Sequence, residues 1–473
     1  MGQKSSEEAY SAHQKYAAEL YPKSNCDPYA VRSFLRRRAQ NTAPRQVVEM
    51  ILTLYNEKAK YIVYTGEKVL ILKTAAVICE YNPFHNGHQY HIAQTRRQSG
   101  ADYIIAVMSG NFVQRGEPAI INKWARAEMA LQGGADLVLE LPLPYAVSSA
   151  QHFARGAVEL AAMTGVVNVL SFGSETGAEG LARLQTLAEA DLGSIPAFSE
   201  ALQDGLAYPA AAEAAFRAET NEKLGANDIL ALEYLRALRA YPFITPLSIR
   251  RAGAGHNSTT PLPLVLTAPD NTNEQSCTAS AFYIRGALSE AARYMPKNSY
   301  TIMEREFSAG RGPVMLESFT ALILYILRIA GPEGLRRLPG VSEGLEYKLY
   351  RAALHCADLN TLLKACTSRR YTKTRIKRIL TAALLRIPGG MHCQPVPYLR
   401  ILGLRRTAAP LLRQMHRTAR LPLFSAPAKF RSQATPAALQ FLSLECAATD
   451  CYVLGYQNAK AGGADFTTPI ILC

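Results

Sequence analysis

The sequence has few cysteines, no long apolar run and a single tryptophan. Its nine cysteines among 473 residues include no C-x-x-C pair, which argues against a disulfide framework and against a zinc knuckle. No uninterrupted apolar stretch reaches the ~18 residues that a membrane-spanning helix requires. The first twenty residues are polar and do not resemble a signal peptide. These absences favour a cytoplasmic protein without a membrane partner.

Acidic residues are scarce in one part of the chain. The whole sequence has 52 Lys and Arg against 38 Asp and Glu, for a formal charge of +14. Between Leu335 and Arg431 there are 20 basic and only 3 acidic residues, so this window carries +17 and the rest is near neutral. Solvated helical faces usually mix both signs. The asymmetry therefore predicts nucleic acid or another polyphosphate as a partner.

Short apolar segments alternate with helical patterns from residue 74 onward. We expect strands at 74–80, 103–108, 137–141, 167–172 and near 244–249, and helices at 88–98, 123–132, 150–163 and 228–239. This alternation predicts an α/β fold whose parallel sheet is covered on both faces. From about residue 315 onward helical patterns dominate. Ligands of such sheets bind at the carboxyl ends of the strands.

The segment with the clearest chemistry follows the first predicted strand and contains H-x-G-H, formed by His85, Gly87 and His88. Two histidines three residues apart face the same side of a helix, and a helix N-terminus offers N–H groups to an anion. Imidazoles can donate to negative charge that develops on a phosphate, and Gly87 would let a flat base or ribose approach the backbone. The motif suits attack on the α-phosphate of ATP with pyrophosphate leaving. The alternative is a pair of helix-capping histidines.

The motif and the strand–helix order resemble the nucleotidyltransferase superfamily that also contains class I aminoacyl-tRNA synthetases. Its second motif, I-S-S-T-x-I-R, is similar to A-S-A-F-Y-I-R at residues 279–285, where Phe282 replaces the threonine. The resemblance implies a Rossmann-like parallel sheet with the H-x-G-H motif, followed by a mainly α-helical basic C-terminal domain.

A closer resemblance, from Lys73 to the end, is to the bacterial tRNA(Met) cytidine acetate ligases. It rests on residues 80–88, 107–118, 123–126, 136–142, 172–175, 227–230, 249–251 and 371–378. The resemblance implies that ATP and acetate form acetyl-adenylate, and that the acetyl group then passes to N4 of the wobble cytidine in elongator tRNA(Met). The anticodon loop is the implied tRNA partner.

The same resemblance implies site residues. His85 and His88 are assigned to the phosphates and to transition-state charge. The expected ATP contacts are Ile78, Glu80, Tyr81, Asn82, Pro83, Phe84, His85, Gly87, His88, His91, Gly173, Asn227 and Arg251. Gln114 and Arg115 are further residues that could face the site. No protein ligand for a metal is predicted, and Mg²⁺ is expected to accompany the ATP phosphates.

The basic C-terminal part is expected to bind tRNA. Residues 371–378 place cations on a helix that can follow phosphates, beside an aromatic ring for stacking. The expected tRNA contacts are Arg369, Arg370, Lys373, Arg375 and Arg378.

We expect three parts: an N-terminal extension over 1–72, a catalytic domain over 73–295 and a tRNA-binding domain over 296–473. A misassigned start, with translation beginning at Leu72, is one explanation of the extension. Two other functions stay open: an adenylyltransferase acting on a small phosphorylated metabolite, and a tRNA-binding protein without catalysis. The sequence leaves the oligomeric state open.

Overall fold

A mainly parallel sheet, flanked by helices, organises the molecule. The computed structural model describes residues 62–65, 68–251, 262–264 and 276–473. Contacts divide the chain into two units, Met1–Ala59 and Lys60–Cys473, and every described residue lies in the second. Most of the predicted N-terminal extension lies outside the described residues, and its status stays a prediction.

The strands vary from two to seven residues in length. They are β1 (Ile62–Thr65), β2 (Lys68–Ile71), β3 (Thr74–Cys79), β4 (Tyr103–Ser109), β5 (Phe112–Val113), β6 (Glu117–Pro118), β7 (Leu137–Leu141), β8 (Val169–Ser174), β9 (Thr245–Arg250), β10 (Leu262–Leu264), β11 (Ser276–Thr278), β12 (Leu399–Leu404), β13 (Leu423–Phe424) and β14 (Ile471–Leu472).

The helices of the amino-terminal half alternate with these strands. They are α1 (Asn86–Ser99), α2 (Lys123–Gln132), α3 (Leu143–Ala146), α4 (Ala150–Met163), α5 (Gly177–Glu189), α6 (Pro196–Gln203), α7 (Tyr208–Thr220), α8 (Ala226–Leu238) and α9 (Ala281–Gly286). The carboxyl-terminal half is mostly helical. It contains α10 (Lys297–Ser308), α11 (Thr320–Arg336), α12 (Leu345–His355), α13 (Leu359–Cys366), α14 (Lys373–Leu384), α15 (Ala409–Thr418), α16 (Pro427–Arg431), α17 (Pro436–Tyr452) and α18 (Ala464–Thr467).

The main sheet has the strand order β13-β12-β7-β4-β3-β8-β9, with β14 also paired to β12. The five strands from β7 to β9 run parallel. The chain moves outward from β3 to β4 and β7, and then returns to the other side of β3 with β8 and β9. The order therefore reverses between β3 and β8, and the carboxyl edge at such a switch point is where ligands bind in this architecture.

Burial explains why the apolar segments become strands. All five residues of β7 are buried, as are six of the seven in β4, which is expected for parallel strands covered on both faces. One core cluster covers one face of the sheet with side chains from α4 and α8, including Phe153, Leu160 and Leu232. Another covers the opposite face with side chains from α1 and α2, including Ile92 and Met129.

The C-terminal half contributes a strand that the sequence analysis did not predict. β12 runs antiparallel to β7 and pairs Arg400 with Glu140. All six residues of β12 are buried. A third core cluster, built mainly from α11 to α14, also includes Phe112 and Leu143 from the sheet half. The predicted boundary between domains at 295/296 stays a prediction.

One described stretch, Leu316–Arg336, is long and apolar enough to pass as a membrane span by length and composition, with a mean hydropathy of 1.2. No membrane span is predicted from the sequence, since no uninterrupted apolar run is long enough, and Arg328 interrupts this one. In the structure the Arg328 guanidinium donates to the carbonyl oxygens of Ala353 and Cys356. Gly331, with φ 59°, and Pro332 interrupt the helical geometry of α11.

Candidate active site

The H-x-G-H motif lies where β3 turns into α1, at the carboxyl edge of the sheet. His85 is the N-cap of α1: its Nδ1 accepts from the Gly87 N–H at 3.1 Å, and its own N–H donates to His88 Nδ1 at 3.3 Å. The two imidazole rings stack with centroids 3.7 Å apart. His85 is buried and His88 is half-buried. The motif is thus both a helix cap and a paired imidazole group, so the two readings of the sequence are compatible.

The missing side chain of Gly87 makes room for His85. A Cβ built on Gly87 would lie 2.9 Å from Cε1 and 3.1 Å from Nδ1 of the His85 ring. That separation is shorter than real contacts of a Cβ, so any larger residue would displace the imidazole. The sequence predicts a base or ribose close to this backbone, whereas in the structure the His85 imidazole lies against it.

Several predicted ATP contacts place their side chains in the core. Tyr81 and Phe84 are 2% and 0% exposed and belong to the core cluster on the α1 side. Pro83 is also buried, while Ile78 is partly buried and packs against the core on the opposite face. A Cβ on Gly133 would meet the Phe84 ring at 2.2 Å. Contacts of Tyr81 and Phe84 with a ligand would therefore come from their main chain.

Arg126 shapes the loops that follow β3 and β4. It is fully buried and donates to the carbonyl oxygens of Glu80 at 2.6 Å and Ser109 at 3.1 Å, and also to that of Gly110. One guanidinium therefore fixes the ends of the two neighbouring strands. Arg126 lies in one of the segments that carry the family resemblance, but the sequence alone predicts no role for it.

Asn82 connects these loops to the second motif. Its Oδ1 accepts from the Ile120 N–H, and its carbonyl oxygen accepts from Arg285 Nη1 at 2.8 Å. Its Nδ2 is buried and has no hydrogen-bond partner among the described residues, which leaves a donor for a ligand. Arg285 is the arginine that closes the second motif, whereas Phe282, in place of the threonine, is 48% exposed.

A group of carboxylates and cations lies beside this corner. Glu80 accepts from the Gln114 N–H at 2.9 Å, and burial raises the pKa of its carboxyl group despite the positive charge of Arg115. Glu117 bridges Arg285 at 3.2 Å and Lys377 at 2.6 Å. The loop with Gln114 and Arg115, two further residues that could face the site, is joined to Glu80 through the Gln114 N–H.

The structure brings three other predicted ATP contacts, His91, Gly173 and Asn227, together around a fourth, Arg251. The Arg251 Nη1 donates to Asn227 Oδ1 at 3.2 Å. A Cβ on Gly173 would lie 3.3 Å from Arg251 Cγ, so Arg251 covers the face of Gly173. Burial, with the positive charge of Arg251, lowers the pKa of His91 to about 4, and burial also lowers the pKa of Arg251. His91 Nε2 is 3.1 Å from Ser171 Oγ.

Two acidic residues that the sequence analysis did not single out hold this second group in place. Glu175 accepts from the side chain of Asn227 at 2.5 Å and from the Asp228 N–H at 3.0 Å. Asp228, fully buried, accepts from Ser174 Oγ and from the N–H groups of Glu175 and Gly225. Both acidic residues lie within segments 172–175 and 227–230, which carry the family resemblance. The sequence therefore pointed to these positions, although not to their role.

The predicted tRNA contacts lie on α14 and on the loop before it, and they differ in exposure. Arg369, Arg370 and Lys373 are exposed. Arg370 pairs with Glu343 at 2.6 Å. Arg375 donates to the Gly340 carbonyl oxygen at 2.9 Å and lies over the Tyr371 ring at 4.9 Å.

Arg378 is half-buried, and its main chain packs against the loop that follows β5. Burial lowers its pKa to about 10, and a Cβ on Gly116 would lie 2.2 Å from the Arg378 main-chain nitrogen. Thr381 Oγ1 donates to the Gly116 carbonyl oxygen at 2.8 Å. The basic helix therefore packs directly on the loop that connects to Glu80.

The arrangement can bind an anionic substrate and polarise it. The amino terminus of α1 and the two imidazoles supply donors and partial positive charge, while Arg251 and Arg285 border the same edge of the sheet. Residues 72–465 match the HIGH Nucleotidyl Transferase family. A tRNA(Met) cytidine acetate ligase from Acetivibrio thermocellus is 39% identical over 418 residues, which cover 85% of this chain and 100% of that protein.

The chain belongs to the tRNA(Met) cytidine acetate ligase family. Another tRNA(Met) cytidine acetate ligase, from Caldanaerobacter subterraneus, is 37% identical over 85% of this chain and 100% of its own length. The crystal structure of Thermotoga maritima TmcAL bound with alpha-thio ATP has a TM-score of 0.75 at 31% identity, and covers 85% of this chain and 99% of that one. The predicted family and fold class are confirmed, and the assignments of individual site residues stay predictions.

Proposed function

We propose that this protein is an ATP-dependent ligase that acetylates N4 of the wobble cytidine in elongator tRNA(Met). The observation that carries the proposal is the stacking of His85 and His88, whose ring centroids are 3.7 Å apart. The pair lies at the amino terminus of α1, at the switch point of the sheet. The family membership supplies the reaction.

ATP is proposed to lie across the opening turn of α1. Its phosphates would face the N–H groups of this turn and the His88 imidazole, while the free Nδ2 donor of Asn82 offers a further hydrogen bond. The group formed by Gly173, Asn227 and Arg251 is proposed to hold the nucleoside end of ATP. Gly173 follows buried residues of β8 and has no side chain, so a base could approach the backbone there.

In the first step an acetate oxygen attacks the α-phosphorus, the bond to the β-phosphate oxygen breaks, and pyrophosphate leaves. Negative charge grows on the phosphate oxygens in the transition state, so donors that are already in place stabilise it more than water does. Arg251 and Arg285, both at the carboxyl edge, are suited to pyrophosphate or to acetate.

In the second step the exocyclic amine of cytidine attacks the acetyl carbonyl carbon, AMP leaves, and the nitrogen loses a proton. This amine is a weak nucleophile because its lone pair is delocalised into the ring, so the acyl group must arrive activated. A base in the anticodon loop can be splayed into a pocket. Contact between α14 and the Gly116 loop supports delivery of that base from the basic face.

Mg²⁺ is proposed to arrive with the ATP phosphates rather than on a carboxylate of the protein. Both carboxylate oxygens of Glu117 are engaged, by Arg285 and by Lys377, and those of Glu175 are engaged by Asn227 and Asp228. Mg²⁺ is commonly held through substrate phosphates and water.

The test is incubation of the purified protein with ATP, radiolabelled acetate and tRNA. The ligase transfers label to tRNA and releases pyrophosphate only when acetate is present. An adenylyltransferase of a small phosphorylated metabolite would leave tRNA unlabelled, and a tRNA-binding protein without catalysis would release no pyrophosphate. Nucleoside analysis of tRNA from a strain that lacks the protein should show loss of N4-acetylcytidine.

A further inference from the structure

Two histidines and a cysteine lie close together outside the groups of residues assigned to the acetylation reaction. His152 lies in the first turn of α4, and His392 and Cys393 lie in the short 3-10 turn Met391–Cys393 that follows α14. Their potential ligand atoms all lie within 4.8 Å of one another, and the two imidazole centroids are 4.2 Å apart. The cluster joins a helix of the sheet half to the segment that leaves the basic helix.

The potential ligand atoms, two imidazole nitrogens and one thiol sulfur, are of the types that a soft or borderline metal ion prefers. His152 Nδ1 is buried and has no hydrogen-bond partner in the described part of the chain. Neutral imidazole nitrogens and deprotonated thiols are the forms of these side chains that coordinate metals. Cys393 is an exposed free thiol.

From this geometry we propose that His152, His392 and Cys393 form a site for a transition-metal ion of the Zn²⁺ class. Tetrahedral zinc takes nitrogen ligands at about 2.0–2.1 Å and thiolate sulfur at about 2.3 Å, so its ligand atoms are roughly 3.3–3.8 Å apart. The ligand atoms of the three side chains, at most 4.8 Å apart, would have to approach one another by small side-chain rotations to reach these separations. A fourth position stays open to water.

The surroundings hold the three ligands together without a metal. Arg155, one turn after His152, donates to the carbonyl oxygens of His392 at 2.6 Å and Gln394 at 3.0 Å. Tyr145 also donates to the Gln394 carbonyl oxygen at 2.6 Å. The Arg155 charge opposes a bound cation, and the thiolate formed on metal binding offsets it. Glu159, whose Oε1 accepts from the Val396 N–H at 3.3 Å, adds an acidic group on the same helix.

The experiment is titration of the full-length, metal-free protein with Co²⁺ and then Zn²⁺. Co²⁺ should produce a thiolate-to-cobalt charge-transfer band and tetrahedral d–d bands, and one equivalent of Zn²⁺ should abolish both. Cys393→Ser should remove the charge-transfer band and weaken Zn²⁺ binding on the order of a hundredfold, and His152→Ala should weaken binding comparably. Cys473→Ser and His416→Ala are matched controls, since both residues are exposed and lie outside the cluster.

The proposal is overturned if the wild type binds no more Zn²⁺ than the Cys393→Ser, His152→Ala double variant. It is also overturned if Cys473→Ser reduces binding as much as Cys393→Ser, since the metal would then bind surface thiols in general. Acetate-dependent pyrophosphate release, measured in the same preparations, reports separately on the ligase reaction. Loss of metal binding with intact release, or the converse, therefore distinguishes failure of this site from failure of the proposed function.

Discussion

His88 contributes more than a helix cap, because its ring stacks on His85 and contacts the edge of Tyr81 at a centroid distance of 4.9 Å. In the proposed reaction, replacing it with alanine removes a donor that serves the transition state. We expect His88→Ala to reduce acetate-dependent ATP–pyrophosphate exchange by about 10²–10³-fold, as for other preorganised donors. Binding of tRNA should stay within about twofold, because the basic face is unchanged. His416→Ala, an exposed histidine in α15, is the matched control. Equal loss of exchange in both variants would contradict this role.

His91 makes the stability of the protein depend on pH. Its pKa is lowered to about 4 in the folded protein by burial and by Arg251, whereas an unfolded histidine titrates near 6.5. Between these values the unfolded chain binds the additional proton, so the free energy of unfolding falls as pH decreases from about 6.5 to 4. His91→Gln should reduce that slope by up to about 1.4 kcal/mol per pH unit. Denaturant unfolding at several pH values measures this difference, and an unchanged slope would contradict the burial of His91.

At the level of secondary structure, the strands and helices around the site were predictable, because strands buried on both faces are short apolar runs. The predicted helices at 123–132 and 150–163 coincide with α2 and α4. β12 was missed because its sequence, L-R-I-L-G-L, contains an arginine and lies inside the basic window. Arg400 is buried there only because Glu140 and Asp465 pair with it, and a linear sequence does not show such distant partners.

The candidate site was predictable as a set of segments, but the role of each side chain was not. The motif located His85 and His88, and the family resemblance placed Gly173, Asn227 and Arg251 in one site, where the structure has them in contact. Tyr81 and Phe84 could not be recognised as core residues, since their burial depends on packing against distant helices. The role of Arg126 depends on three carbonyl oxygens from separate loops.

The basic helix α14 and the loop before it separate into residues that hold the fold and residues that face solvent. Arg375 is bonded to the Gly340 carbonyl oxygen, so its removal would disturb the helix as well as any tRNA contact. Arg369 and Lys373 are exposed. We expect the double variant Arg369→Ala, Lys373→Ala to weaken tRNA binding and to reduce the slope of log affinity against log salt by about 1–2.

The matched control for this double variant is Arg97→Ala, Arg183→Ala, which removes two exposed arginines from helices outside the basic window. Filter binding of tRNA across a salt series measures both pairs. Acetyl-adenylate formation should be unchanged in both, since neither pair touches the H-x-G-H corner. A salt slope that changes equally in the two double variants would contradict a localised tRNA face.

At the scale of the whole molecule, a buried group of charges joins the sheet to the C-terminal helices. Lys123 lies 2.8 Å from Glu140 and 2.7 Å from Asp465, and Arg400 lies 3.0 Å from Glu140 and 2.5 Å from Asp465. All four side chains are at most 2% exposed. They come from α2, β7, β12 and α18, so the two positive and two negative charges balance where these elements meet.

Glu445, on α17, is the fifth member of this group and would upset the balance if it were ionised. Burial and the neighbouring Glu140 raise the pKa of its carboxyl group well above the ordinary value, which favours its neutral form in the folded protein. Its Oε2 accepts from the Leu143 N–H at 2.9 Å. A Cβ on Gly110 would meet Oε1 atoms of both Glu140 and Glu445 at 2.7 Å, which places the two carboxyl groups side by side next to the loop after β4.

Two isosteric substitutions should therefore change the free energy of unfolding by very different amounts. Glu445→Gln keeps a neutral group that can accept from Leu143 and donate to Glu140, so the free energy of unfolding should change by less than about 1 kcal/mol at neutral pH. Glu140→Gln leaves only Asp465 to balance the two buried charges of Lys123 and Arg400 and should cost about 3–5 kcal/mol. Because a raised carboxyl pKa lowers stability as pH rises above the unfolded value, Glu445→Gln should gain relative to wild type toward alkaline pH. Denaturant unfolding between about pH 5 and 8 measures both effects, and a large loss in Glu445→Gln would mean that this carboxyl group is ionised in the folded protein.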